Sequence, residues 1–110
     1  MSARKASLAF TPQARQDISD VLLHTRQMWG RDQRDIYKNK IDSRLDYLRR
    51  YPEGGPPRVD LYPTCRMLEV ERHIIYYRLR ENSVRIVRVL HERVDPRAHL
   101  DQVQNEFVDH

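Results

Sequence analysis

RHIIYYRLRENSVRIVRVLHERVD, Arg72 to Asp95, is the stretch that decides the fold. Two apolar runs, His73 to Leu79 and Val84 to His91, flank the polar triplet Glu81-Asn82-Ser83. That pattern predicts a β-hairpin with a tight turn. Ile74, Ile75, Tyr76 and Tyr77 are apolar on both sides of their strand, as are Ile86, Val87, Val89 and Leu90 on the next. Strands of this kind sit in the middle of a sheet. One face would lie under helices. The other needs cover from a tail, a partner or another subunit, because an uncovered apolar face on a monomer marks a binding site. A further run, Cys65 to about Glu71, supplies a third strand.

The residues before the hairpin predict helices. Leu8-Ala9-Phe10 is a short apolar run with the character of an edge strand, preceded by a basic arm, Met1 to Ser7. Thr11-Pro12 then starts a helix, the threonine as N-cap and the proline at the first helical position. Ala14, Ile18, Val21, Leu22, Thr25 and Met28 or Trp29 recur every three or four residues. They form one apolar stripe, and Gly30 is placed to stop the helix. A second stripe, Tyr37, Ile41, Leu45 and Leu48, begins near Arg31 or Asp32 and cannot pass Pro52. Two amphipathic helices with a minimal joint make an antiparallel hairpin, and each needs a surface on which to bury its stripe. Between helices and strands, Tyr51 to Pro63 holds four of the six prolines and two of the three glycines. This is a loop within one domain, since too little chain follows it for a second core.

The chain has 110 residues, 33% charged and 39% hydrophobic, with a formal net charge of +4. One domain over residues 1–110 is expected, with its core at about 7–100 and a tail at 101–110; the segment after Asp95-Pro96, RAHLDQVQNEFVDH, is expected to be a short helix or disordered. The basic balance suggests an acidic partner and leaves direct contact with nucleic acid open. A single cysteine, Cys65, permits no internal disulfide and reads as a small packing residue. No signal peptide and no apolar run of membrane-spanning length is read, so a cytoplasmic location is expected.

No P-loop, dinucleotide fingerprint or zinc spacing is present, and the five histidines lack paired ligand spacing. Neither cofactor nor metal is expected. The arginines say more. Arg66, Arg72, Arg78, Arg80, Arg85, Arg88 and Arg93 all fall in the strand-rich half, and no lysine follows Lys40. Arginine's planar fork suits carboxylates and phosphates. With Tyr76 and Tyr77 nearby it could serve RNA stacking, or it could simply be solvated and paired with Glu69, Glu71, Glu81 and Glu92. Arg88 stands between Ile86 and Leu90, so it needs a carboxylate or a binding role. Arg66, Arg72, Arg78, Arg88, His91 and Arg93 are the candidate partner-binding residues. His91 could act in acid–base chemistry with Arg88 and Arg93, but a strand-end anchor bonded to the following loop, with Asp95 as one partner, is the preferred reading. Trp29 and the tyrosines of the second helix read as packing groups.

These residues resemble a known family. RHIIYYR and VRIVRVLHERVDPRAHL are similar to the C-terminal signature of ParE-type toxins, with Val94 where that signature has methionine. FTPQARQDISDV, WGRDQRDIY and LRRYPEGGPP resemble, in order, its opening strand and helix, its helix joint and its helix exit. The likeness spans about residues 7–100. It implies the RelE/ParE fold: an α+β chain with a short N-terminal strand and an antiparallel helix hairpin on a small, mainly antiparallel sheet. It further implies a toxin of a type II toxin–antitoxin system, a DNA-binding antitoxin that wraps it, and DNA gyrase as target without catalysis. RelE-like relatives are ribosome-dependent mRNA endonucleases with a basic cluster and usually a C-terminal tyrosine or histidine. Here no tyrosine follows Tyr77, so the ribonuclease is the second reading, and an inactive toxin-like binding module the third.

Overall fold

The computed structural model describes residues 5–100 of the chain. In order, these form β1 (Ser7–Phe10), α1 (Pro12–Trp29), α2 (Arg31–Arg50), β2 (Cys65–Val70), β3 (His73–Arg80) and β4 (Ser83–His91). The sheet order is β1-β4-β3-β2. β1 runs parallel to β4 and the other pairs are antiparallel. The expected α+β architecture is therefore present, and the tail at 101–110 and the first residues of the basic arm lie outside the described residues.

Both helices begin and end where the sequence signals place them. The Thr11 hydroxyl accepts from the Ala14 N–H at 3.0 Å, and Pro12 follows it. Gly30, at φ 95°, closes α1 and opens α2, a conformation that L residues with side chains rarely adopt. The helix stripes meet one face of the sheet: Ala14, Leu22, Ile41, Leu45 and Leu48 pack with Leu68, Val70, Ile75, Tyr77, Val84, Ile86 and Val89. The hairpin projects beyond the sheet, however. From Arg26 to Ile36 only Arg34 is even half-buried. Met28 and Trp29, expected to pack, are 59% and 68% exposed, because no strand among the described residues lies beneath the last turn of α1. Tyr51, past the end of α2, is also exposed.

Of the covers expected for the second face of the sheet, the segment after β4 is the one observed, and the loop before β2 joins it. The chain covers it by itself. Leu61 and Tyr62 from the loop and Leu100 from the end of the described chain bury Cys65, Tyr76, Val87 and Leu90. The loop is held down through Tyr77, whose hydroxyl accepts from Gly55 N–H and donates to the Pro52 carbonyl, both at 2.9 Å. A Cβ on Gly55 would lie 2.2 Å from the Met67 carbonyl oxygen, so only glycine permits this approach. After β4, Asp95 accepts from Arg97 N–H at 3.0 Å and starts a helical turn at 97–100 that delivers Leu100 to this second core. Burial of Tyr76 and Tyr77, 2% and 0% exposed, removes them as stacking platforms for RNA bases.

A β-bulge lets β4 serve both cores. Its register against β3 skips at Tyr76/Tyr77, which pair with Arg88 and Ile86. The extra residue, Val87, reverses the alternation. Val84 and Ile86 face the helices before it, and Val89 does so after it, while Val87 and Leu90 join the other core. Arg88 thus does not share one face with both Ile86 and Leu90.

The two hairpin turns have two residues each, Glu71-Arg72 and Glu81-Asn82. In each the glutamate is left-handed, at φ 53° and 55°. A side chain in that region costs about 1–2 kcal/mol, part of which glycine recovers. Glu71 gains the Lys40 ammonium at 2.6 Å in return. No ion pair is formed by Glu81 among the described residues. Glu81→Gly is expected to raise stability by about 0.5–1 kcal/mol, and Glu71→Gly by less, measured as urea midpoints.

Candidate functional site

β1 ends at Phe10, opposite Ile86, leaving the rest of β4 without a neighbouring strand on that side. The N-cap of α1 and one of its side chains continue the ladder there. Thr11 Oγ1 donates to the Val87 carbonyl at 2.8 Å, and Asp17 Oδ2 accepts from Val89 N–H at 3.0 Å. Asp17 also receives the fork of Arg88, with Nε at 2.7 Å and Nη2 at 3.0 Å. The remaining Arg88 nitrogen, Nη1, donates to the His99 carbonyl at 3.2 Å. The two side chains are 15% and 12% exposed. The carboxylate that Arg88 needs is present, and the sequence reading missed only that it comes from α1.

Removing one partner of such a pair strands a desolvated charge. Asp17→Ala is expected to cost about 3–5 kcal/mol, measured by chemical denaturation. Joint replacement by Asp17→Leu and Arg88→Met should lose much less, because no charge is then left unpaired.

The six candidate partner residues do not converge. Arg66 is turned into the loop, donating to the carbonyls of Glu53 at 3.1 Å and Gly55 at 2.8 Å. Arg78, half-buried, lies opposite Arg85 and Cys65 on neighbouring strands. Arg88 is occupied as described. Arg93 is exposed on the turn after β4. Only Arg72 and His91 line one hollow, a groove of about 490 Å³ between the projecting hairpin and the strand ends. The ion pairs of Arg66 and Arg88 use Glu53 and Asp17.

His91 is anchored as a strand end. Its Nδ1 accepts the Arg93 N–H at 3.1 Å, so the following loop is its partner, and Asp95 is engaged elsewhere. Its ring meets that of His73 edge to face, with centroids 5.2 Å apart. His73 is the residue that sequence reasoning passed over. It stands directly across from His91 in the strand register, and its Nδ1 lies 2.5 Å from the Tyr37 hydroxyl. The Tyr37 hydroxyl also lies 3.1 Å from the Val70 carbonyl, which can accept from it. Burial pushes the Tyr37 phenol up to about 12. Burial, and next the charge of His91, bring His73 down to about 4 from 6.5. The Cys65 thiol is pushed up to about 11 by burial, in keeping with a packing residue.

His73 therefore stays neutral in the folded chain while its unfolded form takes up a proton below about pH 6.5. The stability that this neutral form contributes is complete above that pH and is lost as pH falls toward 4. The melting temperature of the native chain should drop over that window more than that of His73→Phe. Equal slopes would show that His73 is not the group responsible.

Comparison with known proteins places this geometry. Residues 8–96 match the family described as the ParE toxin of the type II toxin–antitoxin system, parDE. The protein Toxin ParE1 of Caulobacter vibrioides is 30% identical over 87 residues, covering 79% of this chain and 90% of that protein. Toxin ParE1 of Mycobacterium tuberculosis (strain ATCC 25618 / H37Rv) is 29% identical over 86 residues, covering 77% and 88%. Toxin ParE of Escherichia coli is 28% identical, covering 77% and 84%. A solved structure of the chromosomal ParDE system of P. aeruginosa superposes with a TM-score of 0.69 at 20% identity, over 81% of this chain and 98% of that one. That likeness concerns the fold. No helix among the described residues is long and apolar enough to cross a membrane. With the family match extending over both helices and nearly all of the sheet, the chain belongs to the ParE toxin family of type II toxin–antitoxin systems.

Proposed function

We propose that this toxin is held inactive by a cognate antitoxin and, when free in the cytoplasm, inhibits DNA gyrase by binding it. The engagement of Arg88 carries the non-catalytic reading. A nuclease built from His91, Arg88 and Arg93 needs a cation free to hold a phosphate as charge develops. Here both arms of the Arg88 fork are filled by Asp17, and its remaining nitrogen by the His99 carbonyl. His91 has one ring nitrogen committed to the Arg93 amide. These bonds serve the sheet and leave His91 and Arg93 as surface features.

The hairpin tip supports a protein-docking role. Leu23, Met28, Trp29 and Ile36 are 45–68% exposed there, beside the exposed Arg26 and Arg31. Tryptophan and arginine are enriched in protein-binding hot spots, and methionine at interfaces generally.

Pure toxin should block ATP-dependent supercoiling by gyrase and leave ribosome-bound mRNA intact. His91→Ala should lower thermal stability while gyrase inhibition by the folded fraction persists. Loss of mRNA cleavage in His91→Ala, with unchanged antitoxin affinity, would instead establish the ribonuclease. A chain harmless on induction in cells would establish a binding module.

A further inference from the structure

On the second face of the sheet the cover ends before the strands do. Leu61, Tyr62 and Leu100 bury Cys65, Tyr76, Val87 and Leu90. Alternation along β3 puts Arg78 and Arg80 on the same face as Tyr76. The register sets Arg85 of β4 directly across from Arg78, and Ser83 across from Arg80. β2 begins at Cys65, opposite Arg78, so Arg80 has no strand neighbour on that side. On the other side β1 places Ala9 beside Arg85 and Ser7 beside Ser83. This end of the face is a ledge of three arginines edged by two serines and an alanine.

Like charges directly across a strand pair repel and destabilise it. Elsewhere on the sheet a carboxylate answers each strand arginine that is drawn into the fold: Glu53 for Arg66 and Asp17 for Arg88. Arg80 and Arg85 form no ion pair among the described residues. Glu81, next to Arg80 in the chain, forms none there either. Arg80 is exposed and Arg85 half-buried. Arg78 is half-buried, and its charge acts on the Tyr62 phenol at the border of the cover.

The form of the ledge selects among anions. Arg78 and Arg80 stand about 7 Å apart along the strand, and Arg78 and Arg85 about 5 Å apart across it. A DNA duplex carries one negative charge per ~1.7 Å of its axis. An extended acidic peptide presents one side chain per face every ~7 Å. Only the duplex matches the density of guanidinium groups. Ser7, Ala9 and Ser83 also build no pocket for the aromatic or aliphatic anchor on which protein interfaces depend. Phosphate contacts need none, since guanidinium forks, serine hydroxyls and main-chain amides suffice.

We propose that this ledge binds the phosphodiester backbone of duplex DNA, without regard to sequence. The inference goes beyond the gyrase reading and is compatible with it. The helices pack on the opposite face of the sheet, so the hairpin tip and the ledge can be engaged at once, one by the enzyme and the other by the DNA it holds.

The test titrates the purified full chain into a short fluorescent DNA duplex over a salt series. Arg80→Ser with Arg85→Ser should raise the Kd by about tenfold or more. The slope of log K against log salt should become shallower by about 1.8, because each phosphate contact contributes about 0.9. Arg15→Ser with Arg49→Ser removes the same charge from the exposed surface of the helices and should keep the native slope. The urea midpoint of the ledge variant should not fall, since one of two opposed charges has gone. A native chain that does not bind the duplex overturns the proposal. So does a ledge variant that binds like the native chain, or a helix variant that loses as much. A ledge variant with native duplex binding but weakened binding to gyrase free of DNA assigns the ledge to an acidic protein surface, and also overturns it. The duplex is titrated without gyrase, so the failure of the gyrase reading would not alter this result.

Discussion

Everything in this fold turns on a mismatch of length. β1 has four residues and β4 has nine, and they run side by side. Buried main-chain groups must be bonded, so the part of β4 that outruns β1 needs another source of partners. The chain supplies it by starting α1 immediately after β1, so that Thr11 and Asp17 reach back to the strand. One carboxylate then bonds an amide of the sheet and both arms of the Arg88 guanidinium. The same arginine touches the turn at His99. Helix, sheet and chain end are joined at this point, which lies at the edge of the sheet and is nearly closed to water.

The bulge in β4 is the second device on which the molecule relies. A strand with strict alternation can serve two cores only by giving each every other residue. Val87 breaks the alternation and lets β4 contribute three consecutive groups differently, with Ile86 to the helix side, Val87 to the loop side and Arg88 to the edge. The loop rich in proline and glycine is then more than a connection. Through Leu61, Tyr62 and the bonds to Tyr77 it forms the second layer of the molecule.

Much of this was legible in the residues. The N-cap at Thr11, the stop at Gly30, the barrier at Pro52 and the polar triplet at Glu81 mark element ends through local chemistry that acts in any context. The need for cover on the second face was legible, with the tail among its named sources; the part played by Leu61 was not, because it carries no local pattern that announces where it folds. Trp29 was misread because periodicity reports which residues share a face and is silent on whether the sheet extends far enough to meet it. Within the candidate site, the charge partner of Arg88 was legible as a need. Its identity as Asp17, 71 positions earlier, and the pairing of His73 with Tyr37 depend on tertiary placement alone.

The parallel pairing of β1 with β4 joins Ser7 to Ser83, across most of the described chain. Contacts so distant in sequence form late, after the entropy of closing the intervening loop has been met. The helix hairpin and the β2–β4 meander can assemble from neighbouring residues while the chain is being synthesised. The bond that locks them cannot form until Val89 has cleared the ribosome, because Asp17 has no partner until then. The Asp17 carboxylate on α1 therefore stays hydrated until β4 has been made, and the sheet becomes complete only after that point.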